Sequence, residues 1–206
     1  MARIHEVIKS GITLSKEFKS IPFPDLIEAS SKYKVLKFQS LGQDNELFLQ
    51  LTKSANNFIH FANRTKQRFQ GDRPNDVGKR IEEVFVQELK KTELTPLLLP
   101  KSGYPDMKIT DQRGNITYLE SKAVSKGWDS TFRTFYYSNS SKIMSDGRHL
   151  LIAWKIEEEK DKYWKVEGWK LCDLFQLKIK TKLEFNASNR DLYQTGVILA
   201  ESNEPK

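Results

Sequence analysis

Cysteine is almost missing from this chain of 206 residues, in which Cys172 is the only one. A single thiol cannot form an intramolecular disulfide, and it cannot supply the thiolate set of a zinc site. Long apolar runs are also missing, which argues against a signal peptide or a membrane-spanning helix and predicts a cytoplasmic protein. No Gly-x-x-x-x-Gly-Lys-Ser/Thr loop occurs, so we expect no nucleotide cofactor.

Positive charge, in contrast, is plentiful. The formal net charge is +7, from 34 Lys and Arg against 27 Asp and Glu. Residues 1–70 hold much of the excess, with 11 Lys and Arg against 6 Asp and Glu. A basic surface favours a polyanionic partner such as nucleic acid. The aromatic content of 11% is that of an ordered globular chain rather than a disordered one.

The chain changes character near residue 70. Residues 1–70 are predicted to be a basic helical N-terminal region that clamps DNA or mediates dimerisation. Within it, residues 2–19 are loosely helical, a short helix starts near Asp25, and residues 45–69 carry one apolar stripe at helical spacing. Residues 71–206 are predicted to form the core domain.

The second region alternates helix and strand patterns. A helix runs from Asn75 or Asp76 to about Lys91, and a hairpin of strands is centred on residues 104–122. The apolar run 149–156 predicts a strand buried on both faces, and 163–169 alternates as an exposed edge strand does. A helical turn at 171–176 and a strand at 177–185 follow. These elements predict an α/β (α+β) fold, a central mixed β-sheet flanked by helices.

Three ionisable residues of the hairpin form the candidate site. Glu120 and Lys122 are two positions apart on a strand, so both side chains point to the same side. Asp106, on the neighbouring strand, would complete a cluster of two acids and one base. Other acid-x-Lys triplets occur, but only this one ends a strand-like run and follows a Pro-Asp pair at hairpin distance. The alternative is a surface hairpin with an ordinary salt bridge.

These motifs resemble the PD-(D/E)xK nuclease superfamily over about residues 76–156, and within it the type II restriction endonucleases. The resemblance rests on Gly78-Lys79-Arg80-Ile81-Glu82 in the opening part of a helix, on Pro105-Asp106, on Glu120-Ser121-Lys122 and on the following hydrophobic strand. It implies a restriction-endonuclease-like core that hydrolyses phosphodiester bonds with one or two Mg²⁺ ions.

The resemblance also assigns roles to residues. It implies Asp106 and Glu120 as metal ligands and Lys122 as the residue that orients or deprotonates the attacking water. It implies Glu82 as the helix carboxylate, with Glu83 as its rival. Lys122 beside two carboxylates should stay protonated, which favours the orienting role.

Basic residues around the motif alternate with aromatic ones such as Trp128. Lys126, Arg133, Lys142 and Arg148 are the predicted DNA contacts, because cations bind phosphates and aromatic rings can contact bases. The leading hypothesis is a Mg²⁺-dependent type II restriction endonuclease that cuts double-stranded DNA as a homodimer. The alternatives are a structure-specific repair or recombination nuclease and a non-catalytic nucleic-acid-binding module.

Overall fold

The computed structural model describes Glu6 and residues 20–100, 103–128 and 142–180. The chain divides into two compact units, Pro22–Lys178 and a unit made of Met1–Ile21 with Ile179–Lys206. Residue 70, the predicted boundary, lies within the Pro22–Lys178 unit, because the helix at 45–64 packs on the same sheet as the elements that follow it. The predicted helix at 2–19 lies outside the described residues except for Glu6.

The described residues form short helices and strands in alternation. In chain order they are β1 (Ile21–Pro22), α1 (Phe23–Ser31), β2 (Val35–Leu36), α2 (Asn45–Arg64), β3 (Phe69–Gln70), α3 (Pro74–Leu89), β4 (Thr95–Leu98), β5 (Met107–Thr110), β6 (Ile116–Val124), β7 (Gly147–Glu158), β8 (Tyr163–Asp173) and β9 (Lys178–Ile179). Single 3₁₀ turns occur at Lys160–Lys162 and Leu174–Gln176. No described helix has the length and apolar character needed to cross a membrane.

One mixed sheet organises the Pro22–Lys178 unit. Its strand order is β3-β8-β7-β6-β5-β4, and β2 pairs with the start of β7. The β6–β7 and β2–β7 pairs are parallel, and the remaining neighbours are antiparallel. The predicted α+β fold with a mixed sheet between helices is therefore confirmed. β1 and β9 pair separately as a two-stranded sheet.

The apolar residues predicted for the helices and strands do form the core. α2 and α3 cover one face of the sheet, where the rings of Phe58 and Phe85 each lie 4.9 Å from that of Trp154. On the opposite face, Phe23 of α1 contacts Tyr104 and His149 at centroid distances of 5.6 and 5.7 Å. We call these the helix face and the opposite face of the sheet.

Several element boundaries differ from the sequence predictions. α2 ends at Arg64 rather than near residue 69, because Phe69 belongs to β3 and pairs with Trp164. β4 was not predicted, since its Thr95–Leu98 segment contains a proline and only four residues. β8 is no simple edge strand, because β7 pairs along one side of it and β3 along two residues of the other.

Candidate active site

The candidate site lies where β6 extends beyond β5. β5 begins at Met107, which pairs with Leu119, so β6 from Glu120 onward continues without β5 beside it. Asp106 occupies the start of this gap and accepts a hydrogen bond from the Ser121 backbone N–H at 2.8 Å. The register of the hairpin therefore brings Asp106 to Glu120, as the sequence predicted.

Glu120 and Lys122 point to the opposite face of the sheet, two residues apart on β6. Their side chains form an ion pair through Glu120 Oε1. Glu120 is only 1% exposed, and its other oxygen, Oε2, is buried without a hydrogen-bond partner. A buried carboxylate oxygen without a partner is costly, and this cost distinguishes Glu120 from half of an ordinary surface salt bridge.

Glu82 of α3 lies close enough to Asp106, Glu120 and Lys122 to interact with their charges. Burial raises the pKa of Glu82 to about 8, with further contributions from the negative charges of Asp106 and Glu120. The neighbouring Glu83 is exposed on the helix surface. Helical spacing alone left both residues open, and the packing of α3 places Glu82 rather than Glu83 beside the other acids.

The pKa shifts show that the carboxyl groups are crowded. Burial and the adjacent Asp106 raise the pKa of Glu120 to about 7. Burial alone would lower the pKa of Lys122, but the carboxylates of Glu120, Asp106 and Glu82 outweigh it and leave that pKa above its usual value. Lys122 is therefore an ammonium at neutral pH, and one cation is shared by three carboxyl groups.

This excess of acid fits a divalent cation. Mg²⁺ takes oxygen ligands and needs only one or two carboxylates when waters and a substrate phosphate complete its shell. Asp106 and the unpartnered Glu120 Oε2 supply that number. The three acids do not form a ready-made cage, since no three His, Cys, Asp or Glu side chains of the described residues are grouped to hold a metal ion.

Lys142 lies in the interior rather than at the DNA-facing surface for which it was predicted. It is 9% exposed, and its Nζ donates hydrogen bonds to the backbone oxygens of Gly103 and of Pro105, the latter at 2.9 Å. Burial lowers the pKa of Lys142, against the opposing effect of Asp106 and the other site carboxylates. It holds the segment that ends at Asp106, a role for which its sequence context gives no signal.

Arg148, also predicted to contact DNA, is buried as well. It is 4% exposed and forms a 2.6 Å ion pair with Asp44, which is 2% exposed and precedes α2. The pair connects α2 to β7, and a side chain held this way does not reach a phosphate. Lys126 lies exposed just after β6, and Arg133 lies outside the described residues.

The mixed sheet with an acid-lined gap at β6 is consistent with a restriction-endonuclease-like core. The chain belongs to the type II restriction enzyme MjaV family, whose model matches residues 15–196. It is 34% identical over 208 residues to the type II restriction enzyme MjaV of Methanocaldococcus jannaschii, an alignment that covers 90% of each chain. No solved structure matches it.

Proposed function

We propose that this restriction enzyme is a PD-(D/E)xK nuclease that hydrolyses phosphodiester bonds of double-stranded DNA with Mg²⁺ held by Asp106 and Glu120. The observation that carries the proposal is the buried, unpartnered Glu120 Oε2 beside Asp106, at a gap in the sheet. Family membership supports the DNA substrate and the restriction activity. One or two ions are compatible with this donor set.

Bound Mg²⁺ would supply a Lewis acid for the phosphate and a water of lowered pKa. The Ser121 N–H orients the carboxylate of Asp106, and burial on β6 restricts the side chain of Glu120, so both would be positioned to bind the metal. Lys122, protonated beside these acids, orients the attacking water by hydrogen bonding and offsets negative charge that develops on the phosphate. Glu82 lies beside these two acids, and its raised pKa of about 8 makes it a group that can take up or release a proton near neutral pH.

DNA binding and assembly complete the proposal. Lys126 and Arg133 contact the duplex, and the basic residues of the N-terminal region clamp it or form a subunit interface. A homodimer would bring two sites to the two strands of a palindromic sequence. The products would carry 5′-phosphate and 3′-hydroxyl ends.

The proposal is tested by digesting unmethylated phage DNA with purified protein, with and without Mg²⁺. We expect discrete bands with Mg²⁺ and none in excess chelator. Asp106→Asn should abolish cleavage, and Asp25→Asn is the matched control, because Asp25 also follows a proline but is exposed on α1.

Each contrary outcome points to a specific error. Unchanged cleavage by the Asp106→Asn variant would refute the assigned site. Cleavage restricted to flaps or junctions would favour a structure-specific nuclease, and binding without cleavage by any divalent metal would favour a non-catalytic module.

A further inference from the structure

A cation on β8 is held by an aromatic ring from the segment after β6. Lys170 Nζ lies over the ring of Trp128, 4.6 Å from its centroid. A Cβ added to Gly168 would lie 4.0 Å from the same ring. Trp128 comes shortly after the end of β6, so the chain that leaves the candidate site crosses β7 and places its indole on β8.

The strand register puts Lys170 in line with Lys122. Lys122 pairs with Ala153 of β7, and Ala153 pairs with Lys170 of β8. Paired residues share a face of the sheet, so all three side chains point to the opposite face. Neighbouring strands are about 4.8 Å apart, which separates the two lysine backbones by roughly 10 Å. The β7 residue between them is Ala153, whose side chain is a single methyl group.

Lys170 differs from Lys155 and Lys165, the lysines of β7 and β8 on this face, by its lack of a carboxylate partner. Lys155 pairs with Glu167 at 2.9 Å, and Lys165 pairs with Glu157 at 2.6 Å and with Glu167 at 3.2 Å. For Lys170, the described residues provide the Trp128 ring and no ion pair. Its charge is exposed and uncompensated, and the ring restricts where its ammonium lies.

We propose that Lys170, positioned by Trp128, contacts a DNA phosphate next to the one that is cleaved at Lys122. A lysine ammonium binds phosphate as a point charge, without reading the base sequence. The ring orients the ammonium before DNA arrives, so less side-chain freedom is lost on binding. The assignment of the neighbouring phosphate rests on the function proposed for Lys122, whereas the phosphate contact itself does not.

The test measures binding of a random-sequence DNA duplex without divalent metal over a series of salt concentrations. Lys170→Gln should reduce the magnitude of the slope of log K against log salt by about one unit, as expected for one lost phosphate contact. Lys155→Gln is the matched control, since it makes the same change in net charge on the same face but removes a cation already paired with Glu167. It should leave the slope unchanged.

Two further variants distinguish the loss of the Lys170–phosphate contact from a loss of folded structure. Lys170→Arg keeps a cation and should restore the wild-type slope, whereas Trp128→Leu should weaken binding at constant salt while keeping the slope, because the cation remains but is no longer oriented. Thermal melting of each variant checks that the fold is retained. Equal slopes for Lys170→Gln and wild type, or equal losses in Lys170→Gln and Lys155→Gln, would overturn the proposal.

A cleavage assay separates this proposal from the proposed function. Lys170→Gln should raise KM and leave kcat within about twofold, because a contact made equally in the ground state and the transition state affects binding alone. If the Asp106→Asn variant cleaves DNA normally while Lys170→Gln reduces the salt-dependence slope by about one unit, the assigned nuclease site is wrong and the phosphate contact is supported. A fall in kcat with unchanged binding would refute the phosphate contact.

Discussion

The sheet carries the same pair of residue types at the same spacing in two different environments. Glu120 and Lys122 lie two residues apart on β6, and Lys165 and Glu167 lie two residues apart on β8. Both glutamates form ion pairs with the nearby lysine. Burial and Asp106 raise the pKa of Glu120 to about 7, whereas hydrogen bonds from Lys155 and Lys165 help to lower that of Glu167 to about 2.

The difference shows that an acid-x-base pattern acquires chemistry from its surroundings. Around Glu120 the acids outnumber the cations, and water is excluded. Around Glu167 two lysines face two glutamates in solvent, and each charge is compensated. A divalent cation would relieve the first arrangement and has nothing to add to the second.

The largest expected effect is a difference in DNA cleavage rate between variants of Glu120 and Glu167. Glu120→Gln should lower the rate of DNA cleavage by at least about 100-fold, because the proposed metal-ligating oxygen and its negative charge are lost together. Glu167→Gln, at the same spacing on β8, should cleave at the wild-type rate. The comparison would fail if timed digests showed equal losses for the two variants.

Lys142 tests whether the buried cluster depends on the segment before β5. Lys142→Met should leave the Gly103 and Pro105 carbonyls without their donor and destabilise the fold by about 1–3 kcal/mol. Cleavage should fall by about tenfold, because the misplacement reaches Asp106. Denaturant melts and digests report both effects, and Lys155→Met should show neither. Normal cleavage by folded Lys142→Met would show that the site is positioned without it.

The pH dependence of stability tests the charge excess. The folded-state pKa of Glu82 is raised from 4.5 to about 8, so the folded state binds more protons than the unfolded chain in this window, and the unfolding free energy falls as pH rises through it. In the presence of chelator, the unfolding free energy of the Glu82→Gln variant should therefore exceed that of the wild type by about 1–3 kcal/mol at pH 8 and by little at pH 4. This range is discounted for the partial exposure of Glu82.

Glu83→Gln is the control for this measurement, because Glu83 lies beside Glu82 on α3 but is exposed. Its melting curve should follow the wild type at both pH values. A pH-independent gain for Glu82→Gln would mean that helix propensity or packing, rather than the raised pKa, explains the stabilisation.

The smallest effect belongs to the exposed pair. The lowered pKa of Glu167 stabilises the fold above its unfolded value of 4.5, and this contribution is lost as pH falls toward about 2. At pH 7, Glu167→Gln should destabilise by at most about 0.5 kcal/mol, since exposed ion pairs are screened by solvent. Chemical denaturation at pH 7 and pH 3 measures the difference, and a loss as large as that in Lys142→Met would contradict the comparison.

The sequence predicted the fold class because its signals are local. Apolar residues at helical spacing predicted α2 and α3, and the nearly continuous apolar run at 149–156 predicted β7, whose residues from Gly147 to Trp154 are buried. The hairpin that joins Asp106 to Glu120 could also be predicted, since strand spacing and a polar turn specify which residues meet. A short element such as β4, with four residues and a proline, leaves too weak a pattern.

By itself, then, the sequence determined the mixed sheet between helices and the grouping of Asp106, Glu120 and Lys122, because strand alternation fixes which side chains share a face. Tertiary structure decided what depends on segments distant in the chain. It placed Glu82 near the other acids and left Glu83 exposed, buried Lys142 and Arg148 as internal cations, and aligned Lys170 with Lys122 on the sheet. Burial and charge compensation depend on every neighbour in space, and a residue's sequence context holds only a few of them.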